Sequence, residues 1–593
     1  MHRVKRPAES LAKVALGKAK ADLVVKKATL VNVETGELIP DASVSVSKGY
    51  VADVGDLPSI GPETRVIDGS KAFAIPGFLD GHVHVESSML SLTNFSFAAL
   101  ERGTTGVFVD PHEIANVLGP EGVRLLIRES LGLPIKIFFL VPSCVPAVPG
   151  METSGASMSA SDVAELLRES SVVGLAEVMN YPGVVSGEAK LLREMRAALR
   201  LGKVVDGHYA GKIGKELAAY VSSGASSCHE SVSREEALAK ARLGMYLMVR
   251  EGSAFKNLSE VIKVVTMDKI YPCKVLLVSD DRDAPSLAKE GHMDFVVKRA
   301  VEEGVDPVLA IQMATINVAR RFRVDDFAGS IAPGKCADIV LVEDLKSFKI
   351  KSVVSNGKLL VHGGKLLASR RRFRYPERSV RTVKFKRRLH PADFVAAAPA
   401  DRGESEAHVI LVRDGESVTK HVVEVVPTAG GAVLPDLGAD ILRVSVVERH
   451  GKTGNVANGL VKGFGLREGA VATSVSHDSH NLTVVGVGAS DMHAAANEVR
   501  RMGGGISVVA RGKVVAKVAL PIAGLMSLKP LRPLNADVER VKSALKKLGC
   551  QLESPFMALS FLSLSVIPEI RITDKGIVDV LAFSFIPLLA RGN

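Results

Sequence analysis

The sequence predicts an α/β protein built around a (β/α)8 TIM-type barrel, with a small composite β-sandwich and a C-terminal α/β domain beside it. Two observations carry this expectation. Eight apolar strand segments recur at intervals of 20–37 residues over about 250 residues, the span that a (β/α)8 barrel occupies. Polar and ionisable residues stand at the C-terminal end of nearly every segment, the rim on which such barrels place their chemistry. A doubly wound open sheet is the competing arrangement, and it does not need ionisable groups at so many strand ends.

In chain order the segments are FLDGHVHVE (78–86), TGVFVDPHE (105–113), IKIFFLVPS (135–143), VVGLAEVMN (172–180), KVVDGHYAG (203–211), ASSCHES (225–231), MYLMVREGS (245–253) and KVLLVSDDR (274–282). Helical patterns such as DVAELLRES and EAKLLREMRAALRLG separate them. Residues 22–75 read as short strands and turns, with the period-two alternation of a half-buried sheet around Val44 and Val46. The same texture returns after 328 in ADIVLVEDL and KIKSVVSNGKLLVHGGKLL. Residues 1–76 and 329–370 are therefore expected to form one composite β-sandwich around a catalytic barrel at 77–328, with a separate α/β domain at 371–593. In that last domain DVERVKSALKKLG predicts a helix, with Val538, Val541, Leu545 and Leu548 on one face and Gly549 at its C-terminal cap.

Composition narrows the classes. A chain of 593 residues is too long for one core, and 47% hydrophobic with 24% charged residues excludes wholesale disorder. The absence of Trp and the scarcity of aromatics argue against a stacking platform for single-stranded nucleic acid. The five cysteines (Cys144, Cys228, Cys273, Cys336, Cys550) contain no CxxC pair, so neither a zinc ribbon nor a disulfide framework is expected, and a reducing cytoplasm fits. The start, MHRVKRPAESLAKVALGKAK, is basic without an apolar core, and no stretch reaches the roughly 18 apolar residues of a membrane span. The net charge of +11 is local: Arg370 to Arg388 holds ten basic residues against the single acid Glu377. Such a run at a domain junction reads as solvated surface, with an anionic partner as the minority reading.

The chemistry lies at the strand ends. His82 and His84 form an HxH pair, and residues two apart on a strand face the same side. Alone the pair is weak; with Glu177, His208, His229 and Asp280 at other strand ends it makes four imidazoles and two carboxylates, a donor set for Zn, Fe or Mn rather than Mg or Ca. GSIAPGKC (329–336) nearly spells a phosphate-binding loop, but lacks the final Ser or Thr and precedes a strand, so it reads as a turn. His477, Asp478, Ser479 and His480 could suggest a hydrolase triad or a further metal site, whereas His362, His408 and His421 read as surface histidines.

These segments carry a resemblance. AIPGFLDGHVHVESSML, DPHEIANVLG, EVMNYPGV, SSCHE, REGSA, VSDDR, EGHMDFVVKRAVEEGVDP and MATINVA resemble the adenine deaminases of the amidohydrolase superfamily, and SVSHDSHN, DMHAAANE and LPIAGLMS resemble that family's C-terminal domain. The likeness runs in register over about residues 25–590. It implies that two divalent transition-metal ions, Mn or Fe first and Zn second, are held by His82 and His84, by a bridging Glu177, by His208 and His229, and by Asp280 on the first ion. It also implies deamination of adenine to hypoxanthine and ammonia in purine salvage. Metal-activated water attacks C6, Asp280 moves the proton, and Glu113 is the candidate acid for the ring, or alternatively a capping or supporting carboxylate. His112, Asp281 and Arg282 are expected at the substrate, with Asp281 and Arg282 alternatively bracing their loop. The resemblance makes the His477–His480 segment an active-site-facing or interface loop. Two departures stand out: Cys228 occupies a position where the family has Asp, and GHYAGKIG lacks the usual proline. The expected partners are adenine and further copies of the chain, as dimer or tetramer, with neither membrane nor nucleic acid. The competing readings are an amidohydrolase acting on a related aminopurine or a cyclic amide, Glu177 speaking against the hydantoinase-like or dihydroorotase-like form where a Lys is favoured, and a catalytically dead binding paralogue, against which the complete donor set speaks.

Overall fold

The structure is a computed structural model describing residues 6–399, 403–416 and 418–590; the first five residues of the basic start lie outside it. Its centre is a curled parallel sheet in two arcs. The first arc joins β1 (Phe78–Val83), β2 (Thr104–Val109), β3 (Lys136–Val141), β4 (Val172–Val178) and β5 (Val204–Gly207), neighbour to neighbour. The second joins β6 (Ser227–Cys228), β7 (Tyr246–Arg250) and β8 (Val275–Val278). At one end of the arcs, Val83 bridges Asp280 in parallel and the Asp280 amide donates to the His82 carbonyl at 3.0 Å. At the other, the Ser226 amide donates to the Val205 carbonyl at 3.2 Å.

Alternation along these strands sorts the side chains. Leu79, Phe108, Leu140, Ala176, Val204, Met248 and Leu276, one from each of seven strands, meet in a single buried cluster with Phe322, as expected where successive residues point to opposite faces. Burying residues of this size contributes about 1.5–3 kcal/mol each, so this end of the sheet is packed solid and the chemistry is left to the other end. Seven of the eight strands fall within the expected segments and β2 begins one residue before its own, and each stops short of its segment's end. His84, His208, His229 and Asp280 consequently sit one or two residues past their strands, where the ladder has been abandoned and side chains are free to converge.

A nine-stranded sheet draws on both β-rich pieces: Phe73–Pro76 pairs antiparallel with Ile339–Val342, joining strands from before the arcs to strands from after them. A second nine-stranded sheet, from strands between Glu404 and Ala519, belongs to the C-terminal region. The predicted helix there runs longer than expected, over Leu531–Lys547, because Pro530 and the preceding turn start it earlier. Val538, Val541 and Leu545 are buried and Leu548 is half-buried, and Gly549 follows with φ +107°, a backbone that favours glycine. All ten basic residues between Arg370 and Arg388 are exposed. No helix among the described residues is long and apolar enough to cross a membrane.

Candidate active site

The strand ends form the floor of a cavity of about 880 Å³, and the C-terminal region forms its roof. On the floor, His82 Nε2 and His84 Nε2 lie 3.1 Å apart, with Asp280 Oδ1 at 3.7 Å and 3.4 Å from them. The other nitrogens of both rings face acceptors: His82 Nδ1 meets Asp206 Oδ2 at 3.2 Å and His84 Nδ1 meets the Asp110 carbonyl at 3.2 Å. Those acceptors place the ring protons on the Nδ1 atoms, so the facing Nε2 atoms are two lone pairs. Two buried Nε2 atoms at that separation, with the Asp280 carboxylate beside them, call for a positive charge between them, a proton or a metal ion. The donor chemistry therefore fits a divalent ion.

Glu177 connects this cluster to a second one. Its Oε1 lies 3.7 Å from His84 Nε2, while its Oε2 lies 2.6 Å from His208 Nδ1 and 3.0 Å from His229 Nε2. One carboxylate thus presents an oxygen to each group, the geometry a bridging ligand needs. Burial alone would raise its pKa, but His208 and His229 hold it well below the usual carboxylate range.

Two residues not singled out in the sequence support this floor. Asp206, in VVDGHYAG, orients His82 and also accepts from Ser227 Oγ. Arg250, in REGSA, is fully buried; it binds Glu230 and donates to Asp280 Oδ2 at 3.0 Å. Against the burial penalty, Arg250 and the two imidazoles hold Glu230 down at about 2. A charged residue ending an apolar strand was the available signal for both.

His112 and Glu113 open α1 (His112–Leu118), and both line the cavity. Glu113 differs from the sequence expectation. Its Oε1 lies 2.5 Å from His477 Nδ1, and its Oε2 accepts from His480 Nε2. Despite complete burial, the surrounding imidazoles hold it well below its ordinary pKa. An anion with both oxygens occupied has no proton to give, which corrects its assignment as the ring acid. His480 is the neutral partner: its Nδ1 accepts the Ser476 amide at 3.2 Å, and burial lowers its pKa to about 4. His477 is the charged one, raised to about 9 against burial, chiefly by Glu113.

Asp281 lines the cavity and accepts from Ser87 Oγ, whereas Arg282 does not line it. Arg282 donates to the Glu251 carbonyl at 3.1 Å and to Glu290 at 2.7 Å, so it braces its loop; the expected substrate contact is corrected accordingly. Cys228 is buried beside the Tyr209 backbone, outside the cavity lining.

The geometry has counterparts among known proteins. The amidohydrolase family profile matches residues 73–360, and the adenine deaminase C-terminal domain profile matches residues 416–584. An adenine deaminase of Moorella thermoacetica is 45% identical over 581 residues, covering 98% of this chain and 97% of its own. One from Mesorhizobium japonicum is 41% identical over 585 residues, covering 98% and 97%. This chain belongs to the adenine deaminase family. The adenine deaminase C-terminal domain profile covers the segment 477–480 that grips Glu113.

Proposed function

We propose that this cavity hydrolyses adenine to hypoxanthine and ammonia with the aid of two divalent metal ions at the strand ends. The observation that carries the reading is Glu177, whose two oxygens face two separate sets of imidazole nitrogens. His82, His84 and Asp280 would hold the first ion, His208 and His229 the second, and Glu177 would bridge them. When bound, such a pair supplies Lewis acidity that brings the pKa of water towards neutrality. Mn or Fe suits this imidazole and carboxylate set first, and Zn second.

The chain's own groups handle the protons. Asp280 keeps one oxygen towards the floor while Arg250 holds the other, so it is placed to take the proton of the attacking water and return it to the leaving ammonia. His477, carrying the proton of its pair with Glu113 and facing the cavity, supplies a proton to the ring as charge develops there. His112 and Asp281 sit at the substrate. Three features support the wider reading. The two bonded seams support one closed eight-stranded barrel at 77–328. The shared sheet supports a composite β domain from 1–76 and 329–370, with 371–593 as a third domain. The five unpaired cysteines suit a reducing cytoplasm. A homo-oligomer, dimer or tetramer, completes the expectation.

Elemental analysis should find about two transition-metal ions per chain, and ammonia release should follow adenine far better than adenosine. An active preparation free of Mn, Fe and Zn, or a clear preference for adenosine, would overturn the reading.

A further inference from the structure

The mechanism above leaves one buried acid of the cavity without work. Asp478 is 3% exposed, lines the cavity, and comes from the C-terminal region rather than the strand ends. Its Oδ2 has no hydrogen-bond partner among the described residues. Its Oδ1 lies 3.8 Å from His477 Nδ1 and 4.0 Å from His112 Nε2, both beyond hydrogen-bonding distance. A buried carboxylate left without a donor is costly. Burial, with Glu113 nearby, raises its pKa to about 6, so at neutral pH it is still mostly an anion.

The other inner acids are all engaged. Glu113 is filled by His477 and His480, Glu230 by Arg250, Asp281 by Ser87, and Glu177 and Asp280 belong to the floor. Among the described buried acids that line the cavity, Asp478 is the one with no donor on either oxygen. Its position suggests which donor. The His112 ring spans the gap between floor and roof, with Nδ1 at 3.4 Å from Glu177 and Nε2 facing Asp478. A flat bicyclic base lying alongside His112 with C6 at the floor turns its five-membered ring towards Asp478. Phe255, Phe561 and Met179 supply apolar cavity wall for such a base.

We propose that Asp478 accepts the imidazole-ring N–H of the purine, and that through this contact the C-terminal domain selects the free base over N9-substituted purines. The proposal rests on adenine being the substrate, and extends that reading by naming the residue that reads the far edge. A free purine base has one ring N–H there; an N9-glycosylated or N9-methylated base has none, and would leave the carboxylate buried and unpaired, the situation that rejects analogues most strongly.

The test uses the metal-loaded full chain, Asp478→Asn and Asp478→Ala, with adenine turnover and the inhibition constants of purine and 9-methylpurine. In the wild type, purine should bind at least about tenfold more tightly than 9-methylpurine. In Asp478→Ala that gap should close to within about twofold, and in Asp478→Asn, whose amide oxygen can still accept, it should narrow by less; adenine kcat/KM falls by about tenfold to hundredfold in Asp478→Ala and metal content is retained in both. A gap that persists in Asp478→Ala, or unchanged adenine turnover there, overturns the assignment. Should neither variant fold, equal inhibition constants for the two purines in the wild type overturn it alone. Failure of the substrate reading is a different result, namely no ammonia from adenine in the wild type.

Discussion

The floor and the roof of the cavity solve different problems with the same residue types. On the floor, His82, His84, Glu177, His208, His229 and Asp280 come from five strand ends and converge with lone pairs and anions facing inward. On the roof, His477 and His480 face a single acid, Glu113, and neutralise it. A cluster that repels itself is a receptor for cations; a cluster that satisfies itself is a fastener. The fastener joins the C-terminal region to α1 and in doing so carries Asp478 into the cavity.

Breaking the floor should cost most. Glu177→Gln replaces an anion serving both imidazole sets with a neutral amide, which binds divalent cations poorly. Metal content is expected to fall by one or both ions, and turnover by more than roughly 10⁴-fold, beyond the loss of one acid–base group. A fully metallated, active Glu177→Gln protein would show that the two groups do not share a ligand.

Asp280→Asn separates proton handling from metal holding. His82, His84 and Glu177 remain, so much of the metal should stay, while turnover drops by roughly 10²–10⁴. Near-normal turnover in a folded, metallated variant would assign the proton to another group.

The roof should reveal itself in stability as a function of pH. The His477 pKa is raised from 6.5 to about 9, so its pairing with Glu113 stabilises the fold fully below about 6.5 and the gain is lost as the pH rises through 9. Glu113 is depressed, so its contribution is present above its ordinary value of 4.5 and disappears only in acid well below that. The wild-type melting temperature should therefore decline between about pH 6.5 and 9, and His477→Gln should flatten this decline. Identical slopes for the two proteins would remove the fastener from the account.

Legibility followed the same division. The eight strands and the six floor residues were readable because alternation and strand-end position are local properties: each segment announces its own apolar run and the ionisable residue that ends it. Arg250 and Asp206 were harder, since a lone charge after a strand does not say whether it meets substrate, metal or another side chain. The Glu113–His477–His480 contact was not readable. Its partners lie 364 and 367 positions apart in the chain, in regions with different sheets, and no periodicity links them. For that reason the sequence leaves Glu113 between a ring acid and a supporting carboxylate, and Arg282 between substrate and loop, and only the geometry fills the one and turns the other aside.

The smallest effect should come from the feature that dominates the net charge. The Arg370–Arg388 stretch pairs sparingly: Arg378 meets Glu121 at 2.9 Å with both side chains exposed, and Arg381 meets Glu377 at 3.1 Å within its own turn. Exposed pairs contribute about 0–1 kcal/mol and are screened by salt. Neither residue lines the cavity, which gives them no part in turnover. Replacing Arg378 and Arg381 together by Gln should therefore shift stability by less than about 1 kcal/mol and leave adenine kcat/KM within about twofold. Thermal melting at low and high salt, with turnover alongside, checks both halves. A large, salt-insensitive loss of turnover would mean that this basic surface reaches the cavity through the C-terminal region, and would erase the distinction between a charged exterior and a working interior.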